Sequence, residues 1–153
     1  MTDKEKKGVG LGPMPMKKKE IDALLAQPHI AVLAVTAPDG APHAVPTWYE
    51  YKAGKVTLHT DTSAFKFKCL QHDPRIAFVV DTKKAPYKCA ILKGKATIEI
   101  KQNDDARGLR MSIAYLGPKA GPAYHNTVKG MEVAVVTLKP DHIVSWDYGK
   151  EAP

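Results

Sequence analysis

The sequence predicts a mainly β fold: an antiparallel barrel, closed or split, with six or seven strands and about three short helices. Short runs rich in apolar and β-branched residues are separated by turn signals. In the first half of the chain these signals recur about every ten residues, which is typical of consecutive antiparallel hairpins. Three further stretches have the composition and flanking residues of short helices.

The strands are predicted from the β-like runs and from the turns that end them. Pro38-Asp39-Gly40 and Ala53-Gly54 each form a turn between two runs. Pro46 lies inside the second run, and because proline cannot donate a ladder hydrogen bond we expect it at a sheet edge or a bulge. The predicted strands are Ile30–Thr36, Pro42–Tyr51, Lys55–Thr60, Arg75–Asp81, Tyr87–Ile100, Met131–Leu138 and a short terminal strand at His142–Tyr148.

The three predicted helices are Lys18–Gln27, Ala64–His72 and Asp104–Leu116. The first is amphipathic and ends before Pro28, because proline cannot continue a helix. Thr62 or Ser63 is expected to cap the second helix with its hydroxyl group. The segment Gly117–Gly121 is expected to end the third.

A single domain is predicted for residues 17–153, preceded by a flexible basic tail at residues 1–16. The formal net charge is +7, and residues 1–19 contribute six lysines against Asp3 and Glu5, a balance of +4. Lysine outnumbers arginine twenty to three, whereas base reading and phosphate clamping in nucleic-acid binding favour arginine. We therefore interpret the charge as mostly a solvated tail and expect no nucleic-acid partner.

The residue pattern argues against several other classes of protein. The six histidines show neither H-x-H nor H-E-x-x-H spacing, and Cys69 and Cys89 stand apart from them, so we expect no metal site. No serine lies in a G-x-S-x-G frame. The chain has no apolar run long enough to cross a bilayer and begins without an apolar signal core. We expect a cytoplasmic protein with reduced cysteines and no membrane partner.

The segment Asp61–Lys68 is the strongest candidate for a binding site. It leads from a strand end into a helix N-terminus, where free backbone N–H groups and the helix dipole favour an anion, and it carries Lys66 and Lys68. A capped surface helix with two solvated lysines is the alternative. Residues Pro46–Trp48 similarly indicate either an irregular strand that flanks a planar ring or aromatic residues of the core.

Together these motifs resemble one family, the B group of the flavin/deazaflavin-dependent oxidoreductases within the pyridoxamine 5'-phosphate oxidase-like split β-barrels. The resemblance covers about Glu20–Ile100. The segments that carry it are, in order, Leu33-Ala34-Val35, Pro38-Asp39-Gly40, Pro42, Val45-Pro46-Thr47-Trp48-Tyr49, Lys66-Phe67-Lys68-Cys69-Leu70, Asp73-Pro74-Arg75, Val80-Asp81, Pro86-Tyr87 and Gly94-Lys95-Ala96. Lys68-Cys69 stands where Arg-Asn is usual, which weakens bidentate phosphate binding at that position.

The resemblance implies a split β-barrel homodimer that binds FMN or the deazaflavin F420 in two equivalent clefts between protomers. It implies a cofactor-binding role for eight residues and assigns no catalytic residue. These are Lys66 as the main phosphate ligand, Lys68 as a second basic group, Pro46, Thr47 and Trp48 beside the ring, His59 and Thr60 at the facing strand end, and Tyr87 from the partner chain.

The function expected from this resemblance is that of an F420-dependent oxidoreductase, in which reduced deazaflavin passes hydride to a small conjugated or heteroaromatic acceptor. F420 is preferred to FMN for two reasons. The motifs resemble the B group, and the two lysines of the loop Thr82–Ala85 suit the anionic tail of F420. One alternative is an FMN-binding, pyridoxamine 5'-phosphate oxidase-like flavoprotein. Another is a non-catalytic flavin or tetrapyrrole carrier on the same barrel. In the enzyme the cofactor supplies the electronics, while the protein orients the ring and shields it from water.

Overall fold

The computed structural model describes residues 14–103 and 106–150, and it confirms the predicted mainly β, antiparallel fold. The helices of this part of the chain are α1 (Lys18–Leu25), α2 (Phe65–His72) and α3 (Ala106–Val128). Its strands are β1 (Ala31–Thr36), β2 (Pro42–Thr47), β3 (Glu50–Lys52), β4 (Lys55–Asp61), β5 (Arg75–Asp81), β6 (Lys88–Gln102), β7 (Glu132–Leu138) and β8 (His142–Asp147). The predicted strand Pro42–Tyr51 is divided after Thr47. None of the helices described here is long and apolar enough to cross a membrane.

The strands pair in the order β2-β1-β5-β6-β7-β4-β3, and β8 also pairs with β6. Strand β6 belongs to both halves of this arrangement, since its residues 89–95 pair with β5 and its residues 96–102 with β7. At the change-over, a Cβ atom on Gly94 would lie only 3.0 Å from Leu138 Cδ1, so glycine permits the close approach. Strand β2 ends the order, which confirms the predicted edge position of Pro46.

Alternation along the strands separates a buried face from an outer face. In β1, Ala31, Leu33 and Val35 are buried, whereas Val32 and Ala34 between them are partly exposed. The inward side chains of other strands complete the core and are at most 1% exposed; they include Val56, Leu58, Phe78, Val80, Leu92, Val136 and Leu138. Because burial of each such side chain contributes about 1.5–3 kcal/mol, the barrel interior is the main source of stability.

The start of α2 differs from the prediction that Thr62 or Ser63 caps it. The N-cap residue is Ala64, and no side chain caps the helix. The Asp61 carboxylate accepts hydrogen bonds from the N–H and the hydroxyl of Ser63, both at 2.8 Å. The Thr62 hydroxyl donates to Glu132 Oε1 at 3.1 Å. The capping prediction was wrong because the helix begins at Phe65, so Thr62 and Ser63 lie before the N-cap position.

Helix α3 consists of two helical halves that meet at a kink at Gly117. Gly117 has φ 91° and ψ 171°, a conformation that favours glycine. Pro118 then restarts the helix, since its fixed φ suits a first helical turn. The two halves pack closely: a Cβ atom on Gly121 would lie 2.6 Å from Ile113 Cα. The first half of α3 thus ends at Gly117, as predicted, and the second half, which begins at Pro118, was not predicted. The predicted first residue, Asp104, lies outside the described residues.

The end of the predicted N-terminal tail lies against the barrel. Met14 forms an antiparallel bridge with Asp147. The Met16 N–H donates to Ser145 Oγ at 3.0 Å, and the Met16 side chain is buried. These contacts place residues 14–16 beside β8, whereas residues 1–13 lie outside the described part of the chain.

Candidate functional site

A cavity of about 380 Å³ lies between α3, the start of α2 and the strand segments that face them. Five of the residues predicted to bind a cofactor line it: Pro46, Thr47, Trp48, His59 and Lys66. They come from β2 and the turn after it, from β4 and from α2, so the fold brings three separate segments to one place. This cavity is the candidate functional site.

Aromatic rings form one wall of the cavity. The Trp48 ring stacks on Tyr115 with centroids 4.9 Å apart and planes 3° from parallel. Tyr124 meets Trp48 edge-on at 5.7 Å and 68°, and both Trp48 and Tyr124 line the cavity. Offset stacked and edge-to-face pairs are the favoured aromatic geometries. Trp48 therefore belongs to an aromatic cluster within the chain as well as to the cavity wall.

Tyr115 of α3 also accounts for the interruption between β2, which ends at Thr47, and β3, which begins at Glu50. Its hydroxyl accepts from the Tyr49 N–H at 3.1 Å and donates to the His29 carbonyl at 2.7 Å. The Tyr49 N–H is thus satisfied by a side chain instead of a strand partner. Burial raises the pKa of Tyr115 to about 12, so its hydroxyl keeps the proton that it donates. These contacts fix Trp48 against α3.

Lys66 supplies positive charge to the cavity. It lies in the first turn of α2 and lines the cavity. Burial lowers the pKa of Lys66 below its ordinary value of 10.5, because desolvation disfavours the charged amine. The neighbouring N–H groups of Phe65 and Lys66 belong to a helix N-terminus, where no intrahelical acceptor is available. A partly desolvated ammonium beside such N–H groups is suited to an anion.

Two carboxylates at the same cavity limit how much negative charge it accepts. Asp61 and Glu132 both line it. The Ser63 N–H and hydroxyl hold the pKa of Asp61 below its ordinary value, so this carboxylate is ionised at neutral pH. Lys66 therefore faces a cavity of mixed charge, which favours one anionic group near α2 over several.

The other three predicted residues do not line the cavity. Thr60 is 3% exposed, and its hydroxyl lies 3.4 Å from the Asp61 carbonyl oxygen. Lys68 is exposed on the surface of α2. Tyr87 is 53% exposed, and its carbonyl accepts from the Tyr148 N–H at 3.0 Å. Within one chain, Tyr87 is a surface residue.

Sequence reasoning missed the residues that α3 and the segment around β7 add to the cavity. These are Asn103, Gly108, Met111, Ser112, Tyr124, Val128, Met131, Glu132 and Val133. One signal was present in the sequence: Gly108 and Gly121 lie inside a helix, where glycine is less stable than alanine by about 1 kcal/mol. Glycine at such positions indicates that another group approaches the helix backbone closely.

The outer face of β1, β5 and β6 is apolar. In the register of these strands, Val32 is opposite Val79, and Val79 is opposite Ile91. All three side chains point away from the core and are partly exposed. Pro46 is opposite Val32 on β2, so the same apolar face extends to a residue that lines the cavity.

The sequence model of the family described as "Pyridoxamine 5'-phosphate oxidase" matches residues 18–146. No curated protein matches the chain.

Three solved structures are similar in fold. A conserved hypothetical protein from Mycobacterium tuberculosis has a TM-score of 0.71 and 23% identity, covering 92% of this chain and 90% of that one. An F420 reductase has a TM-score of 0.66 and 24% identity, covering 80% and 94%. An FAD-binding protein from Mesorhizobium loti has a TM-score of 0.64 and 18% identity, covering 90% and 98%. The family match spans most of the chain, and with this barrel it shows that the protein belongs to the pyridoxamine 5'-phosphate oxidase family.

Proposed function

We propose that the protein is an F420-dependent oxidoreductase that reduces a small conjugated or heteroaromatic acceptor. The observation that carries the proposal is the convergence of Lys66, the α2 N-terminus and the Trp48–Tyr124 wall on one cavity of about 380 Å³. A cation at one side and aromatic and apolar side chains at the other suit a planar ring that bears a phosphate. The similarity in fold to an F420 reductase favours the deazaflavin among such rings.

The residues of the cavity fit this cofactor. Lys66 and the N–H groups of the first turn of α2 would hold the phosphate, and Pro46, Thr47 and Trp48 would lie beside the ring. When bound, F420 supplies the hydride chemistry. Trp48, Met111 and Tyr124 line the cavity, so their part is to exclude water and orient the ring. The chain therefore supplies binding and orientation.

The functional unit that we propose is a homodimer formed through the outer face of β1, β5 and β6. Val32, Val79 and Ile91 make this face apolar, and it adjoins the cavity at Pro46. A second copy would cover the face and bring a surface residue such as Tyr87 toward the first copy's cavity. Contiguous apolar surface outside the core is typical of interaction sites.

The dimer is tested by light scattering at micromolar protein concentration. The mass should correspond to two chains for the wild type. Val79→Lys places a charge in the middle of the apolar face and should give a single chain of unchanged circular dichroism. A wild-type mass of one chain would contradict the proposal.

The cofactor is tested by fluorescence titration of the purified protein with F420 and, in parallel, with FMN. F420 should bind with micromolar or better affinity, about −8 kcal/mol, and more tightly than FMN. An absorbance spectrum of the protein as purified gives an independent readout, because the two rings absorb at different wavelengths. Retention of FMN with no binding of F420 would overturn the proposal in favour of the flavoprotein alternative.

A carrier without catalytic activity is the second candidate. It is favoured by the similarity in fold to a protein described only as FAD-binding. Reduced F420 bound to the protein should be oxidised when a nitro-aromatic or enone acceptor is added, if the first proposal holds. A carrier would bind the ring equally well but show no oxidation that depends on the acceptor.

A further inference from the structure

A row of basic side chains crosses five adjacent strands, β5-β6-β7-β4-β3, at one end of the barrel. On one side of the row, Arg75 of β5 is opposite Lys95 of β6. On the other side, Lys52 of β3 is opposite Lys55 of β4. Lys139 follows the last residue of β7, which is opposite both the residue after Lys95 and the residue after Lys55, so it lies between the two pairs. We call these five residues the basic row.

The side chains of the basic row are exposed on the outer face of the barrel. Val56 is 1% exposed and adjoins Lys55, so the alternation along β4 directs Lys55 outward. The same alternation holds for Leu138 and Lys139. Because adjacent strands lie about 4.8 Å apart, the row spans about 19 Å. Lys93 of β6 is exposed on the same face and adds a further cation beside it.

The basic row is unfavourable for the stability of the sheet. Its two cross-strand pairs, Arg75 with Lys95 and Lys52 with Lys55, place like charges directly opposite each other, which is destabilising. Of the row, only Arg75 has a carboxylate partner among the residues that the structure describes, Asp73 at 2.7 Å. Pairs of opposite charge would stabilise the same positions. Cations kept at a cost in stability are typical of a functional surface.

The basic row lies at the end of β4 and β7 away from the cavity. Lys55 is the first residue of β4, whereas Asp61 at the other end of that strand lines the cavity. Lys139 follows the end of β7, whereas Glu132 at its start lines the cavity. Lys52, Lys55 and Lys139 also lie outside the proposed dimer face of β1, β5 and β6. A partner bound to this part of the row therefore leaves the cavity and the dimer face uncovered.

The composition of the basic row indicates the kind of anion that it fits. Four of its five residues are lysines, which supply point charges, whereas arginine is the residue suited to nucleic-acid recognition. Exposed aromatic side chains, on which bases could stack, lie elsewhere in the described part of the chain, at Phe65, Tyr87, Tyr124 and Tyr148. A continuous layer of negative headgroups meets all the cations of the row at once and needs no specific group at any of them.

We propose that the basic row binds the surface of an anionic lipid bilayer, with the cavity at the end of the barrel away from the lipid. The sequence-based expectation of no membrane partner rested on the lack of an apolar span, and a contact between surface charges needs no such span. Each lysine near an anionic surface strengthens binding about fivefold, and salt weakens this attraction. The proposal does not depend on the identity of the cofactor.

Co-sedimentation with lipid vesicles tests the proposal on the full chain. At low salt, the wild type should bind vesicles of phosphatidylcholine and phosphatidylserine at least about tenfold more tightly than vesicles of phosphatidylcholine alone. Added salt should remove the difference. The double variant Lys55→Glu/Lys139→Glu should lose about tenfold or more of the binding to the anionic vesicles, because two attractive charges become repulsive.

The matched control is Lys119→Glu/Lys129→Glu, at two exposed positions of α3. It changes the net charge by the same amount and should stay within about threefold of the wild type, since these lysines lie outside the row. Thermal unfolding establishes that each variant folds. Lys55→Glu places a negative charge opposite Lys52, so the row variant should unfold at the same temperature as the wild type or a higher one.

Three outcomes would overturn the proposal. The first is a wild type that does not bind the anionic vesicles at low salt. The second is an equal loss of binding in the two double variants, which would assign the binding to net charge, including the N-terminal lysines that all variants keep. The third is a wild type that binds a DNA duplex but no vesicle, which would make the row a nucleic-acid surface.

Discussion

Gly121→Ala is expected to destabilise the protein, although alanine normally stabilises a helix interior by about 1 kcal/mol relative to glycine. The added Cβ atom would lie 2.6 Å from Ile113 Cα and 2.7 Å from Ile113 N. Both are backbone atoms, so a change of rotamer cannot relieve the contact, and the two halves of α3 must separate. Overpacking of this kind costs about 1–3 kcal/mol. Urea unfolding followed by circular dichroism measures the change.

The same substitution should also weaken binding of the cofactor ring, because Tyr124 and Val128 in the second half of α3 line the cavity. Ala120→Ser, at the exposed preceding position, is the matched control and should change the free energy of unfolding by less than about 0.5 kcal/mol. Unfolding of Gly121→Ala at a higher urea concentration than the wild type would show that the two helix halves are not in close contact.

Lys66→Met is expected to weaken F420 binding at least about tenfold, or 1.4 kcal/mol, while making the protein without cofactor more stable. Removing the ammonium removes the charge that would hold the phosphate. Removing the ammonium also removes the free-energy cost of burying its charge in the folded state. Burial disfavours the charged amine and lowers the pKa of Lys66. Fluorescence titration measures the first effect and thermal unfolding the second. A gain in stability with a loss of binding is typical of a functional residue.

The stability gained by Lys66→Met should depend on pH, because the pKa of Lys66 is lowered in the folded state. The folded-state pKa of Lys66 lies below its ordinary value of 10.5, so the cost of burying the charge is present in full at neutral pH. It falls as the pH rises from the lowered pKa towards 10.5, because the folded protein releases the proton before the unfolded chain does. The stability advantage of Lys66→Met should therefore shrink in alkaline buffer.

Lys68→Met, at an exposed position of the same helix, is the control for binding and should change F420 binding by less than about threefold. Equal losses in both variants would contradict a specific role for Lys66.

The sequence was sufficient to predict the strands because each carries a local signal. The alternation of Ala31, Leu33 and Val35 with smaller or exposed neighbours, and the turns at Gly40 and Gly54, depend only on residues close in the chain. The wrong cap at α2 and the unpredicted second half of α3 have a different origin. Helix α2 begins only at Phe65, so the hydroxyls that were expected to cap it lie too early in the chain. At Gly117 the first half of α3 ends as expected, but the following proline starts a second helical half that local residue types did not predict.

The candidate site could be predicted on one side only. Pro46, Trp48 and Lys66 stand in local motifs that resemble a family, and the fold brings them to one cavity. The opposite wall comes from α3, which lies far away in sequence, and no local pattern shows which of its faces turns toward β4. The position of Asn103 likewise depends on packing against Gly108, which is a tertiary contact.

Strand β6 passes from one half of the barrel to the other and is hydrogen-bonded to β5 and β8 over its first part and to β7 over its second. If one half opens, β6 stays hydrogen-bonded to the strands of the other half. Amide hydrogens along this strand should therefore exchange with solvent only in openings that approach global unfolding. A single continuous segment of the chain thus makes the two halves unfold as one cooperative unit.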